Sequence, residues 1–139
     1  MEQEMGYLLK KLQHALHLCL DKELAEHSIT MAQFSALRAL HLQPNSSNAE
    51  LARASFVTPQ TMIKILQGLE QAGLITRQPH HHNRRVITAQ LTSTGEEKFA
   101  AGEDVVGTIE TRMTKGLSVE DQHALSLMLS RCYDALEQT

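Results

Sequence analysis

The stretch from Glu50 to Gly95 restricts the fold more than any other part of the chain, because two short helical patterns are followed by a basic hairpin. The first helix is predicted over residues 47–54 and the second from Thr58-Pro59 to Ala72. Strand candidates over residues 74–78 and 84–91 then enclose a polar tip, His80-His81-His82-Asn83-Arg84-Arg85. Helix, turn, helix and a two-stranded ribbon is the order of a winged helix-turn-helix, a module that places its second helix in the major groove of DNA.

The two helices of this motif have recognisable boundary signals. Ser47 with Glu50 is a capping box, in which each side chain satisfies a backbone N–H of the other residue. Thr58 is a favoured N-cap, and Pro59 suits the first helical position because it lacks an N–H that would be unsatisfied there. Gly73 fits the left-handed position that ends many helices. Residue type alone therefore marks the start of both helices and the end of the second.

Helices are also predicted on both sides of the motif. Apolar residues recur at spacings of three and four from Met5 to about Glu26, and Thr30 with Gln33 is a further capping box that opens the next helix. Residues 92–96 offer a cap for a fifth helix, and Ser118 caps a sixth. We predict a mainly α fold with a small β-hairpin wing, as one domain over residues 1–139. Its winged helix-turn-helix, at about residues 30–92, is flanked by N- and C-terminal dimerisation helices at residues 1–29 and 93–139.

The distribution of charge is more informative than the net charge of −3. Residues 53–92 hold five Lys or Arg side chains against Glu70 alone, which gives +4. Residues 1–52 carry −2 and residues 93–139 carry −5. Phosphate groups respond to the local field rather than to the total. The positive charge is concentrated where DNA would lie.

Several other classes of protein are disfavoured by what the sequence lacks. No apolar run approaches the length of about 20 residues that crosses a bilayer. The N-terminus Met-Glu-Gln-Glu does not have the basic and then apolar order of a secretory signal, so we expect a cytoplasmic protein. No nucleophile–base pairing, phosphate-binding loop, dinucleotide fingerprint or carboxylate cluster appears, which argues against an enzyme and against a bound cofactor.

The candidate DNA contacts lie on the second helix of the motif and on the hairpin. Gln can read adenine and Thr can touch a thymine methyl, while Lys64 suits a phosphate. Arginines at the hairpin tip can enter a narrow minor groove, and Arg77 at its base can reach the backbone. A solvated helix face and a solubilising hairpin are the alternatives. The predicted contacts are Thr58, Gln60, Thr61, Lys64, Arg77, Asn83, Arg84 and Arg85.

The histidine triplet and the cysteines are the remaining side chains with distinctive chemistry. Adjacent residues on an extended ribbon point to opposite faces, so His80-His81-His82 cannot easily share one metal ion, and no metal site is predicted. We expect imidazoles that gain charge near phosphates or below a pH of about 6.5, with a pH-dependent contribution to DNA affinity. Cys19 and Cys132 fit no metal spacing. Buried apolar cysteine is the simpler interpretation of each, and a redox switch is the alternative.

The terminal helices carry longer apolar stripes than the small winged core can cover. Packing within the chain accounts for part of each stripe, and the remainder predicts a C2 dimer. A dimer also places two recognition helices about 34–36 Å apart on successive turns of DNA. The predicted seam is formed by Leu9, Leu12, Leu16, Leu125, Met128, Leu129 and Leu136.

An ordered set of short segments resembles the multiple-antibiotic-resistance regulator (MarR) family of bacterial and archaeal transcription factors. They are residues 29–34 (ITMAQF), 50–52 (ELA), 58–61 (TPQT), 69–77 (LEQAGLITR), 83–85 (NRR) and 91–95 (LTSTG). The similarity extends over nearly the whole chain. One departure is Asn83, where the family usually has an Asp that orients the wing arginine. Asn still accepts a hydrogen bond but without the strength of a charged carboxylate.

The resemblance implies a homodimer that binds pseudo-palindromic double-stranded DNA as a repressor or as an activator, and we predict a repressor. A small phenolic or carboxylate effector would release it, from a cleft near the first, second and fifth helices that His14, His17, Arg38 and Met113 could line. The peroxide-sensing branch of the family is not matched, because Cys19 lies close to the end of its helix and Met31 stands where a tyrosine would follow Thr30. The alternatives are a winged-helix protein–protein module without DNA binding and a redox- or metal-responsive form of the same regulator.

Overall fold

The computed structural model describes residues 4–137, which form six helices and three short strands. In chain order these are α1 (Met5–Ala25), α2 (Met31–Leu42), β1 (Ser46–Ser47), α3 (Asn48–Ala54), α4 (Pro59–Gln71), β2 (Ile75–Pro79), β3 (Ile87–Leu91), α5 (Ser93–Met113) and α6 (Val119–Glu137). The mainly helical fold class is confirmed. The chain forms two compact units, divided in sequence between Val106 and Gly107.

The predicted capping signals all operate. The hydroxyl of Ser47 accepts from the backbone N–H of Glu50 (3.2 Å), and the Glu50 carboxylate accepts from the Ser47 N–H (2.9 Å). The same reciprocal pair of bonds links Thr30 with Gln33 at the start of α2. Gly73 follows α4 with a φ of 75°, a left-handed conformation that glycine adopts without a steric penalty.

The sheet differs from the predicted two-stranded ribbon. A third strand, β1, pairs antiparallel with β3, so that the strand order is β1-β3-β2. No strand was predicted before the first helix of the motif. The strand predicted from Arg84 begins instead at Ile87, because Arg84 and Arg85 lie in a turn. The first error concerns a strand that forms by pairing across the sheet, and the second concerns a turn that hydrogen bonds within residues 80–86 hold.

The core of the first unit joins the helix-turn-helix to the sheet. Phe34, Leu37 and Leu40 of α2 are buried. Helix α5 packs against the Phe34 ring at Gly102, where there is no room for a side chain. A Cβ atom on Gly102 would lie 2.5 Å from the Cδ1 of Phe34. The fully buried large side chains come from α1, α2, α3, α4 and β2, and are Leu24, Leu37, Leu40, Leu51, Met62, Leu66, Leu69 and Ile75. Their burial holds α3 and α4 at fixed angles to the sheet.

Large apolar side chains remain uncovered on the terminal helices. None of the described residues of α6 is buried, and Met128, Leu129 and Leu136 are about half exposed or more. Cys132 is also exposed, contrary to the simpler interpretation of that cysteine, whereas Cys19 is half-buried. On α1, Leu9 and Leu12 are exposed, while Leu20 and Leu24 are buried. Of residues 4–137, no helix combines the length and the apolar character that crossing a bilayer requires.

Candidate nucleic-acid interface

The first turn of α4 presents polar side chains to solvent. Thr58 caps the helix: its hydroxyl accepts from the Thr61 backbone N–H (3.1 Å) and donates to the Thr61 hydroxyl oxygen (3.0 Å). Gln60, Thr61 and Lys64 are exposed, and the buried face of the helix holds the apolar side chains. Gln60 and Lys64 are thus accessible to a ligand, whereas the Thr58 hydroxyl already has two partners within its own helix.

The turn between α3 and α4 is tightly specified by residues that the sequence did not single out. The side-chain amide of Asn48 donates to the backbone carbonyl of Pro59 (3.1 Å), which ties the start of one helix to the start of the next. Phe56 lies in this turn with a φ of 57° and 79% of its surface exposed. A bulky residue in the left-handed region is a strained conformation that the surrounding structure must hold. The orientation of α4 therefore depends on more than hydrophobic packing.

Arg77 is engaged within the protein. Its Nη2 and Nε both donate to one carboxylate oxygen of Glu70, at 2.9 and 3.2 Å. The ion pair connects β2 to the last turn of α4, and the Arg77 side chain is 27% exposed. Sequence reasoning identified the arginine but not its partner. The predicted phosphate contact requires the guanidinium to share its donors with Glu70 or to leave it.

The wing turn, which we define as residues 80–86, presents Arg84 and Arg85 to solvent. The His80 backbone N–H donates to the Val86 carbonyl (2.7 Å), and the Val86 N–H donates to the Asn83 carbonyl (3.0 Å). The Asn83 side-chain oxygen accepts from the Arg85 backbone N–H (3.2 Å). Asn83 thus orders the backbone that carries Arg85, even though it lacks the charge of an aspartate.

The three histidines lie together, and the expectation that they point to opposite faces is wrong. The ring centroids of His81 and His82 are 3.9 Å apart, and that of His80 lies 4.9 and 5.7 Å from them. The chain has left the strand at Pro79, so the alternation of an extended ribbon no longer applies. Within residues 4–137, no three His, Cys, Asp or Glu side chains are arranged to hold a metal ion.

The surface formed by α4 and the wing turn is positively charged, because its acidic side chain is already in an ion pair. Glu70 is the one acidic residue between positions 53 and 92, and it is in the ion pair with Arg77. At the edge of the motif, the Ser47 backbone N–H and then the Ser47 hydroxyl hold the pKa of the Glu50 carboxyl below its ordinary value. Lys64, Arg84 and Arg85 are exposed. An anionic polymer would meet uncompensated positive charge here.

A cavity of about 390 Å³ lies between α2 and α3, and we call it the Arg38 cavity. Apolar side chains form most of its wall, with Arg38 and Glu50 as its charged members. His14 and His17, also expected in an effector cleft, are not among its lining residues. The Nε2 of His17 lies 3.3 Å from the Oδ2 of Asp21 on the same helix. Met113, the fourth expected residue, ends α5 with 40% of its surface exposed. The lining residues are Met31, Phe34, Ser35, Arg38, Ala39, Leu42, Gln43, Ser46, Glu50, Leu51, Ala54, Ser55 and Phe56.

The sequence is similar to known regulators. The model of the MarR family matches residues 29–87, which contain the helix-turn-helix and β2. The chain is 33% identical over 127 residues to the HTH-type transcriptional repressor Rv2887 of Mycobacterium tuberculosis (strain H37Rv), and the match covers 91% of each protein.

The fold is also similar to that of solved structures with bound ligands. The transcriptional repressor CouR, bound to a 23-mer DNA duplex, superimposes with a TM-score of 0.86 at 29% identity, covering 94% of this chain and 92% of that one. Rv2887 in complex with DNA gives a TM-score of 0.80 at 31% identity, covering 94% and 98%. Its complex with salicylic acid gives 0.77 at 32% identity, covering 94% and 97%.

Proposed function

This chain belongs to the MarR family, and on that basis we propose that it is a dimeric DNA-binding transcriptional repressor that a small aromatic carboxylate releases from its operator. The observation that carries the proposal is the joint exposure of Gln60, Thr61 and Lys64 on α4 and of Arg84 and Arg85 on the wing turn. These are the positions from which a winged helix-turn-helix reaches the major and minor grooves. The DNA complexes of two similar repressors support it.

Binding to duplex DNA is tested by selecting bound duplexes from a random pool and measuring their affinity over a range of salt. We expect a steep fall in affinity with salt, because each neutralised phosphate contributes about 0.9 to the logarithmic slope. The double variant Arg84→Ala/Arg85→Ala should lose about 1–3 kcal/mol of binding free energy for each groove contact. Arg131→Ala, an exposed arginine on α6, is the matched control and should bind as the wild type does.

The rival function is a winged-helix module that binds another protein, and the same assay separates the two. A protein partner would leave duplex affinity weak and equal for all sequences in the pool. Retained affinity in the Arg84→Ala/Arg85→Ala variant would also contradict the proposed groove contacts. The similar proteins described above are repressors, and we propose that this chain likewise acts by binding rather than by catalysis, in the cytoplasm.

The proposed dimer is supported by α6, since a helix of 19 residues with none of its described residues buried has little to stabilise it in a single chain. A second copy that covers the exposed apolar side chains of α1 and α6 would bury them on both sides of a two-fold axis. The seam proposed for this contact remains Leu9, Leu12, Leu16, Leu125, Met128, Leu129 and Leu136.

The proposed effector site is the Arg38 cavity. A guanidinium pairs well with a carboxylate, and an apolar wall suits an aromatic ring. The complexes of Rv2887 with salicylic acid and with p-aminosalicylic acid support this class of ligand. Salicylate titrated into the protein–DNA complex should release the duplex, and Arg38→Gln should respond only at higher concentrations. Equal release from both proteins would place the effector elsewhere.

A further inference from the structure

One ring nitrogen of His80 organises the wing turn. Its Nδ1 accepts two backbone hydrogen bonds, from the N–H of His82 (3.1 Å) and from the N–H of Asn83 (3.2 Å). An imidazole nitrogen accepts only when it carries no proton, so this geometry requires the neutral ring with its hydrogen on Nε2. In the doubly protonated ring both nitrogens are donors, and Nδ1 would then face two N–H groups that also donate.

These two bonds close the turn just before the arginines. The remaining bonds of the turn, from His80 to the Val86 carbonyl and from Arg85 to the Asn83 side chain, depend on the same backbone path. The His80 and Asn83 side chains are thus the two acceptors that fix residues 82–85. Without the first, the N–H groups of His82 and Asn83 can turn to water, and the position of Arg84 and Arg85 is no longer fixed.

The charged groups around His80 come from two directions. Glu50 of α3 interacts with it electrostatically. From its own segment, the His81 ring stacks on it and the His82 ring lies tilted to it, and Arg84 and Arg85 follow within the turn. From the sheet side it meets a small cavity of about 320 Å³, whose other lining residues are His81 and the uncharged Asn45, Gln78, Pro79, Thr88 and Gln90. One carboxylate thus faces several groups that are cationic or become so in acid.

We propose that His80 is a pH-responsive positioning residue, whose neutral ring holds the wing turn in shape and whose protonation releases it. This inference rests on the proposed function in one respect: the ordered turn is the form that presents Arg84 and Arg85 to a DNA groove. Histidine is the side chain that in general changes charge between pH values of about 5 and 8, which is the range that a test must span.

Release of the wing turn in acid should change DNA affinity in the direction opposite to that of the added charge alone. A proton on His80 adds positive charge, which by itself strengthens attraction to phosphates. Release of the turn acts in the opposite direction, because ordering the arginines again then costs conformational entropy on binding. We infer that release dominates and that acid weakens the wing contact.

His80→Asn separates the two effects. An Asn side-chain oxygen can accept from the N–H groups two and three residues ahead, and it does not titrate. His80→Ala removes both the acceptor and the titration. His81→Asn is the matched control, since it removes a neighbouring imidazole that makes neither of these two bonds.

The first experiment uses the free protein and needs no DNA. Nitrogen-15 spectra of the histidine rings should show His80 as the Nε2–H tautomer at a pH of about 8. The amides of His82 and Asn83 should lose their protection from exchange on acidification in the wild type and in His81→Asn, but not in His80→Asn. A His80 ring protonated on Nδ1 at that pH, or amides unaffected in His80→Ala, would overturn the proposal.

The second experiment measures affinity for a selected duplex at pH values of about 5.5 and 8. Loss of two neutral hydrogen bonds predicts that the wild type binds roughly 3- to 10-fold more weakly than His80→Asn at the lower pH and equally at the higher. Wild type binding more tightly than His80→Asn in acid would overturn the proposal. If no duplex binds at all while the ring and amide spectra behave as expected, the function fails and the role of His80 in the wing turn stands.

Discussion

The carboxylate of Glu50 makes the stability of the start of α3 depend on pH. The Ser47 backbone N–H, followed by the Ser47 hydroxyl, lowers the pKa of Glu50 below its ordinary value of 4.5. A group whose pKa is lowered by folding stabilises the fold above its ordinary pKa, and this contribution disappears as the pH falls through the lowered value. The capping box is therefore weaker in acid.

Glu50→Gln should remove this pH dependence while keeping an acceptor for the Ser47 N–H. At neutral pH the variant should be less stable by less than about 1 kcal/mol, since it loses a negative charge near a helix N-terminus. The difference should shrink from a pH of about 6 to about 3. Urea unfolding of both proteins at each pH measures it, and two parallel stability curves would show that the carboxylate does not couple to folding.

At the residue scale, the sequence located the exposed basic side chains but not their partners. Lys64, Arg84 and Arg85 are exposed as expected, because a polar helix face and a hairpin tip favour solvent whatever the rest of the fold does. The pairing of Arg77 with Glu70 and the bonds to His80 Nδ1 depend on which side chains face each other across a turn. Residue type and spacing do not contain that information.

At the scale of elements, two of the three glycines of α5, Gly95 and Gly107, have opposite roles. A Cβ on Gly95 would lie 2.0 Å from the Leu74 carbonyl oxygen, which belongs to the backbone and cannot move aside cheaply. A Cβ on Gly107 would meet nothing within 4 Å. The first glycine allows the start of α5 to approach the start of β2, whereas the second only adds flexibility to the helix.

Gly95→Ala should therefore destabilise the protein by about 2 kcal/mol or more, through overpacking against backbone. Gly107→Ala, in the same helix, should be neutral or stabilising by up to about 1 kcal/mol, because alanine is the better helix former. Thermal unfolding of the two variants beside the wild type compares them directly. Equal stability of Gly95→Ala and the wild type would mean that α5 does not approach Leu74 so closely.

Helices were predicted better than strands, for a physical reason. A capping box is a local device, completed within four residues, and both predicted boxes formed. Strand β1 consists of two serines without any apolar alternation, and it exists because Ser46 and Ser47 meet Ala89 and Thr88 across the sheet. Such a strand is specified by residues about 40 positions away, which no local pattern reports.

At the scale of the whole molecule, the proposed dimer makes a direct prediction. Leu129→Lys places a charge in the proposed seam, and two-fold symmetry places it there twice. We expect the variant to lose more than about 3 kcal/mol of dimerisation free energy, because a buried charge without a partner is costly. Sedimentation velocity at micromolar concentration should then detect monomers.

The matched control is Ile63→Lys on α4, which replaces an apolar side chain of similar exposure, 44% against 47% for Leu129. It lies outside the proposed seam and should sediment as the wild type does. If both variants or neither became monomeric, the seam would be wrongly assigned.

Ser47 belongs to two structures at once: its backbone pairs with Thr88 in the sheet, and its hydroxyl caps α3. The sheet and α3 therefore share Ser47, and a movement of either element would strain the hydrogen bonds of the other. A DNA duplex that binds Arg84 and Arg85 of the wing turn would thus exert a force on α3 through the sheet. Helix α3 forms one wall of the Arg38 cavity. This shared residue would give DNA and the proposed effector a mechanical route by which the binding of each affects the binding of the other.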